Sequence, residues 1–241
     1  MKQLNAMSIA APGETLLPIE RALPIPAPGE LLLCVEACGV CRTDLHLIDG
    51  ELPNAHYPII PGHEIVARVE SCPPNSGFTA GQRVGVPWLG WTCGQCHFCL
   101  SGRENLCTEA RFTGCQIDGG YANYCVADAR YCFPLPEEPD PVSLAPLLCA
   151  GLIGYRALRL AGNARRIGLF GFGAAAHLVA QVASAEGREV FAFTRQGDTE
   201  SQAFALCQRA SRAGSAAPAA PAALDAALIF APAGDLDPGA V

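Results

Sequence analysis

The chain has 241 residues, half of them hydrophobic, and carries 23 acidic against 16 basic residues for a net charge of −7. That length holds one large or two modest cores and excludes disorder throughout, and with no dense block of Lys and Arg nucleic acid is not an expected partner. No apolar run approaches the roughly 20 residues of a bilayer span, and the start Met-Lys-Gln-Leu-Asn lacks the apolar core of a signal peptide, so the expectation is a soluble, cytoplasmic protein with no membrane partner.

In chain order, residues 1 to about 140 are rich in Gly and Pro and broken into short β-branched runs, Leu31 to Val35, Ile65 to Val69 and Arg83 to Val86. This is how an all-β domain reads. After Pro141 the pattern changes. Val142 to Leu160 reads as a helix closed by Gly162, and Arg166 to Phe170 as a buried strand running into Gly171 and Gly173. A helix from Ala174 to Glu186, stopped by Gly187, precedes a strand from Glu189 to Phe193. Thr199 with Gln202 fits a capping box that opens a further helix to about Arg212. Ala213 to Ala223 is almost entirely Ala and Pro, and one last apolar strand, Ala226 to Phe230, follows. Strand alternating with helix predicts a parallel sheet, hence an α/β domain behind a β domain.

The 13 cysteines are about 5% of the chain, short of the roughly 8–10% of a disulfide scaffold. Their odd number and the lack of an export signal point to thiols and thiolates. Cys93-x2-Cys96-x2-Cys99-x7-Cys107 can wrap one tetrahedral Zn²⁺, and a site with four protein ligands is closed and structural. Chance clustering is the alternative, and the spacing argues against it. A second group is dispersed: Cys38-Gly-Val-Cys41-Arg42-Thr43-Asp44-Leu45-His46, then Gly62-His63-Glu64, then Pro146-Leu-Leu-Cys149-Ala-Gly151. Cys41, His63 and Cys149 could supply the three ligands of a catalytic zinc, yet spacing does not join them, and a lone Cys149 on an apolar helix also reads as a buried small hydrophobe.

Gly171-x-Gly173-x-x-Ala176 at a strand-to-helix junction suits close approach of a pyrophosphate to a helix amino terminus. Where NAD enzymes carry an acid for the ribose hydroxyls, the chain has Thr194-Arg195. With no carboxylate to repel a 2′-phosphate, NADP is favoured over NAD; otherwise Arg195 is a solvated loop charge.

In this order and combination, these segments resemble the zinc-dependent alcohol dehydrogenases of the medium-chain dehydrogenase/reductase family, over residues 1 to about 205 and again from about 224 to 234. The resemblance implies a GroES-like β-barrel catalytic domain over 1–150, with its structural zinc lobe at 93–107, followed by a Rossmann domain over 151–241. It implies two zinc ions per chain, the catalytic one held by Cys41, His63 and Cys149 in the cleft between the domains. Glu64 matches a carboxylate that stands behind the ligands or replaces one of them, and Asp44 the carboxylate that orients a zinc-bound imidazole. The implied reaction is reversible hydride transfer between an alcohol or aldehyde and a nicotinamide cofactor, with zinc as Lewis acid. The proton would pass from Thr43 through the cofactor ribose to His46, and Arg42 would face the pyrophosphate. Trp88 would wall the substrate pocket, or else be ordinary core.

The family continues well past this carboxyl end, so an incomplete Rossmann domain and an inactive isolated chain are expected. The competing expectation is a non-catalytic zinc-binding remnant; a polyol dehydrogenase is a weaker third reading. Cys207 to Ala223 look unlike the family, as compensating frameshifts in a GC-rich gene would produce. The identity of the alcohol and self-association into a homo-oligomer are left open.

Overall fold

The computed structural model describes residues 2–215 and 223–231, which form two compact units, Met1–Cys149 and Ala150–Val241. In the first unit, β1 (Gln3–Ser8) and β2 (Leu17–Ala22) form an antiparallel hairpin. Then come β3 (Glu30–Cys38), α1 (Arg42–Ile48), β4 (Ile65–Ser71), β5 (Arg83–Val86), β6 (Leu89–Trp91), α2 (His97–Leu100), β7 (Arg111–Phe112), β8 (Tyr124–Asp128), β9 (Phe133–Pro134) and α3 (Pro141–Leu144). Five strands pair antiparallel in the order β8-β3-β4-β5-β9. Alternate residues point to one face, so Leu31 and Leu33 of β3 meet Ile65, Ala67 and Val69 of β4, Val84 and Val86 of β5, and Ala127 of β8 in one core. Two of the ends of this sheet carry the site: β3 runs out at Cys38 just before Cys41, and β4 begins just after His63 and Glu64.

In the second unit, α4 (Ala150–Leu160), β10 (Arg166–Phe170), α5 (Ala174–Ala185), β11 (Glu189–Thr194), α6 (Thr199–Cys207), β12 (Arg212–Ser215) and β13 (Ala226–Ile229) follow in turn. The strands are parallel in the order β12-β11-β10-β13. By order of appearance this is 3-2-1-4, the beginning of a Rossmann sheet. Leu158, Ile167, Leu169, Val179, Ala180 and Val190 form the core between helices and sheet. Gly154 allows α4 to lie close on α5, since a Cβ there would stand 2.8 Å from Val179 Cγ2.

Three sequence expectations are corrected. The helix expected over Val142–Leu160 is three pieces, α3, a 3₁₀ turn Ala145–Leu148, and α4, with a 49° bend. Pro146 inside the apolar pattern has no N–H for a helical bond, and Cys149, at φ −125° and ψ −77°, sits at the break and on neither helix. The cap of α6 is Asp198, whose side chain accepts from Ser201 N–H at 3.0 Å; Thr199 is already helical and Gln202 donates instead to Thr194 Oγ1. That helix ends at Cys207, and Arg212 opens β12, a strand inside the interval that looked foreign to the family. The Ala/Pro stretch 216–222 and the positions after 231 lie outside the described residues.

Candidate functional site

Among the described residues, two groups of Cys, His and Glu place their ligand atoms within 4.8 Å of one another: Cys93, Cys96, Cys99 and Cys107; and Cys41, His63, Glu64 and Cys149. All the cysteines are free.

The first group lies in the loop between β6 and β7. Gly94, at φ +71°, turns the chain sharply after Cys93 in a conformation that favours glycine, and Cys96 caps α2. Sulfur separations are 3.9 Å for Cys93–Cys99, 3.5 Å for Cys96–Cys99 and 3.6 Å for Cys93–Cys107. A tetrahedron with Zn–S near 2.3 Å has edges of about 3.8 Å. The lobe is tied to the barrel by Arg130, which donates to Thr92 O at 3.2 Å and is paired with Asp128 at 2.7 Å.

The second group is assembled by tertiary structure. Cys41 caps α1; Asp44 folds back so that its Oδ2 accepts Cys41 N–H at 2.8 Å, while Oδ1 accepts Gly62 N–H at 3.2 Å and faces His63 Nδ1 at 3.6 Å. One carboxylate thus fixes the two segments that bring Cys41 and His63 together. The Cys149 sulfur, turned in by the helix break, lies 3.8 Å from that of Cys41. Glu64, buried, occupies the space that the missing side chain of Gly39 leaves: a Cβ there would stand 1.9 Å from Glu64 Oε2.

The electrostatics of this group ask for a cation. His63 is 1% exposed, and its Nε2 has no hydrogen-bond partner among the described residues. A buried polar atom in that state is costly unless a ligand takes it. The Cys149 thiol and the neighbouring His63 imidazole hold the Cys41 thiol far below its ordinary value, while the Cys41 sulfur and burial push Cys149 up. Burial pulls His63 down, but Asp44 and Cys41 overcome it and carry the imidazole up to about 9. Burial, then the Cys41 charge, pushes Glu64 up to about 7. Two sulfurs and one free imidazole nitrogen around one point, with the Glu64 carboxylate beside them as an alternate ligand, are the three-donor set of Zn²⁺ with a position left open, and the residues fit that ion.

Around it, the Thr43 hydroxyl lies 3.7 Å from Cys41 Sγ. His46, in the last turn of α1, pairs through Nδ1 with Glu51 and keeps 37% of its side chain exposed. Arg42 is exposed at the start of α1. Trp88 packs edge-on against His63, with ring centroids 5.0 Å apart, and stacks on Phe112 at the same distance. It is half-buried, part of an apolar cluster with Ile9, Leu47 and Ile59. Sequence reasoning missed Gly39 as the cradle of Glu64 and Glu51 as the partner of His46. The Cys-Gly run was the signal for the first, and the five-residue spacing from His46 carried none for the second.

In the second unit, Gly171 has φ +85°, and a Cβ there would stand 2.6 Å from Ala231 N. Gly173 caps α5, and a Cβ on it would meet nothing within 4 Å. Ala176 is fully buried against the sheet. One glycine is therefore required by the backbone, and the other leaves open space at the start of α5. Thr194 and Arg195 close β11, Arg195 exposed and Thr194 bonded to Gln202. No single helix among the described residues is long and apolar enough to cross a membrane.

Residues 27–137 match the alcohol dehydrogenase GroES-like domain. The chain is 45% identical over 245 residues to the probable alcohol dehydrogenase AdhA of Mycobacterium tuberculosis, covering 97% of this chain and 70% of that protein. It is 44% identical over 162 residues to an alcohol dehydrogenase of Geobacillus stearothermophilus, covering 66% of this chain and 48% of that one. Among solved structures, a CAD from Helicobacter pylori complexed with NADP(H) superposes with a TM-score of 0.86 at 27% identity, over 95% of this chain and 69% of that one. With its GroES-like first unit, its Rossmann-ordered second unit and its two clusters of metal-ligating side chains, the chain belongs to the zinc-dependent alcohol dehydrogenases of the medium-chain dehydrogenase/reductase family.

Proposed function

We propose that this chain interconverts an alcohol and its aldehyde by exchanging hydride with a nicotinamide cofactor, and that it carries two zinc ions. The observation that carries the reading is the buried, unpartnered Nε2 of His63 beside the sulfurs of Cys41 and Cys149. Zinc held there by Cys41, His63 and Cys149, with Glu64 as alternate ligand, would supply Lewis-acid polarisation of the alcohol oxygen. Thr43 would accept the substrate proton first and His46 would deliver it to solvent; Glu51 on Nδ1 leaves His46 Nε2 as the acceptor. Trp88 walls the pocket. Cys93, Cys96, Cys99 and Cys107 hold the structural zinc.

The loop of Gly171, Gly173 and Ala176 would receive the pyrophosphate at the start of α5, with Gly173 leaving room for close approach and Ala176 packing helix on strand, and Arg42 would supply a positive charge. NADP is the preferred cofactor: β11 ends at Thr194 and is followed by Arg195, with no carboxylate at either position, and the similar Helicobacter pylori structure holds NADP(H). A second reading, a zinc-binding chain that holds no dinucleotide, draws on the four-stranded parallel sheet among the described residues, where a full Rossmann domain has six strands. Titrating the zinc-loaded chain with NADPH and NADH, followed by fluorescence, separates the two. Saturable NADPH binding, with alcohol-dependent reduction of NADP, supports the dehydrogenase; no binding of either nucleotide sinks it.

A further inference from the structure

Gln202, half-buried on α6, reaches back to the end of β11, where its Nε2 donates to Thr194 Oγ1 at 3.0 Å. The Thr194 hydroxyl passes its own proton on, donating to Arg195 O at 3.2 Å. That carbonyl also accepts Asp198 N–H at 3.2 Å, which closes a turn over residues 195–198 with Gly197 at φ +81°. A hydroxyl has one proton to give, and this one is committed to the turn. Amide, hydroxyl and carbonyl therefore form a chain of fixed direction, each bond strengthening the next. It ends on the backbone of Arg195, whose side chain stands exposed.

In Rossmann domains that take NAD, an acid at the end of the second strand holds the ribose hydroxyls. Here that strand is β11, and the group brought against its last residue is a neutral carboxamide from α6. Asp198, the acid nearest in sequence, has its carboxylate turned to Ser201 N–H at 3.0 Å as the cap of α6. We propose that Gln202 is a positioning residue that sets the cofactor preference: acting through Thr194, it holds the turn that presents Arg195 to a 2′-phosphate, and it keeps a neutral donor where a carboxylate would repel that phosphate. This rests on the NADP reading given above. Glu at position 202 would reverse the chain, because a carboxylate only accepts. The Thr194 proton would turn to it and leave Arg195 O, and the new charge would compete with the phosphate for Arg195.

The test is the ratio of NADPH to NADH affinity, measured by fluorescence titration of the zinc-loaded full chain. Gln202→Met keeps side-chain length and helix propensity but removes the donor. It is expected to weaken NADPH by about three- to ten-fold, the size of one hydrogen bond, and to leave NADH unchanged. Gln202→Glu is expected to weaken NADPH by about ten- to a hundred-fold, the range of a charge-assisted contact, so that NADH becomes the tighter ligand. In an Arg195→Ala background, Gln202→Met is expected to add nothing, because the amide acts through the turn that carries Arg195. An unchanged ratio in both single variants, a loss that falls equally on the two nucleotides as a disturbed fold would cause, or an equal shift with and without Arg195 overturns the proposal while leaving the NADP reading standing. A parent chain that prefers NADH, or binds neither nucleotide, overturns both.

Discussion

The sulfurs of Cys41 and Cys149 stand 3.8 Å apart across 108 positions of sequence, and those of Cys93 and Cys107 are 3.6 Å apart across 14. Both pairs have the spacing of zinc thiolates, but they are held by different means. The first depends on a barrel, a helix cap and a helix break; the second on a loop that the ion itself would organise.

Substitutions in the two sites therefore have different consequences. Cys93→Ser is expected to release one zinc and unfold the lobe, exposing apolar surface to dye binding. Cys149→Ser is expected to lose only the exchangeable zinc, with the lobe intact. Elemental analysis of protein produced with zinc supplied should return close to two ions for the parent chain and one for Cys149→Ser. A parent chain without zinc would remove the basis for both assignments.

Zinc uptake at the Cys41 site has a determined pH dependence. Without metal, Cys41 is held as thiolate, His63 stays protonated up to about 9, and Cys149 keeps its proton above the ordinary thiol range. All three must be unprotonated to bind. Groups protonated when free and bare when bound favour uptake at high pH, so two protons leave per ion and log affinity should rise by about two per pH unit between pH 7 and 9. Above pH 9, with His63 already neutral, the slope should fall toward one. Chelator competition at several pH values measures this; a flat profile contradicts it.

Gly39 is required by what lies beside it. Ala at this position would drive its Cβ to 1.9 Å from Glu64 Oε2. Gly39→Ala is expected to lower stability by about 1–3 kcal/mol, as overpacking does. Adding Glu64→Ala should recover most of that loss in a denaturant titration. Failure of the double variant to recover would mean that Gly39 is needed for its backbone instead.

The two glycines of the nucleotide loop should separate fold from binding. Gly171→Ala places a side chain at φ +85° and 2.6 Å from Ala231 N, so it should destabilise the second unit by at least the roughly 1–2 kcal/mol of a left-handed residue. Gly173→Ala meets no atom within 4 Å; it should leave the melting temperature alone and weaken NADPH. Arg195→Ala should reduce NADPH affinity toward that of NADH, by the 1.5–3 kcal/mol or so of a charge-assisted contact. A parent chain that binds NADH more tightly than NADPH would contradict the role given to Arg195.

How much of this was legible depended on how local each feature is. The lobe is written in spacings of three, three and eight residues, and the glycine loop in six consecutive positions, so both could be read directly. The Cys41, His63 and Cys149 site is spread over three segments, and only the resemblance joined them. The apolar pattern from Val142 to Leu160 runs without interruption, so the break that turns Cys149 inward was hidden behind one proline. Arg212-Ala-Gly-Ser has little strand character of its own; it becomes β12 because Phe191 to Thr194 offer it a parallel edge. Asp198 outcompetes Thr199 as a cap because its carboxylate reaches Ser201 N–H.

The close approach of the four lobe sulfurs also bears on the order of damage. Sulfurs 3.5–3.9 Å apart would be shielded from one another as thiolates of a bound zinc, but without the ion they are neighbouring thiols ready to couple under an oxidant. A zinc ion there would act as a protecting group. Chelation under air should lock the lobe into disulfides that no later addition of zinc reverses, whereas chelation under reducing conditions should remain recoverable.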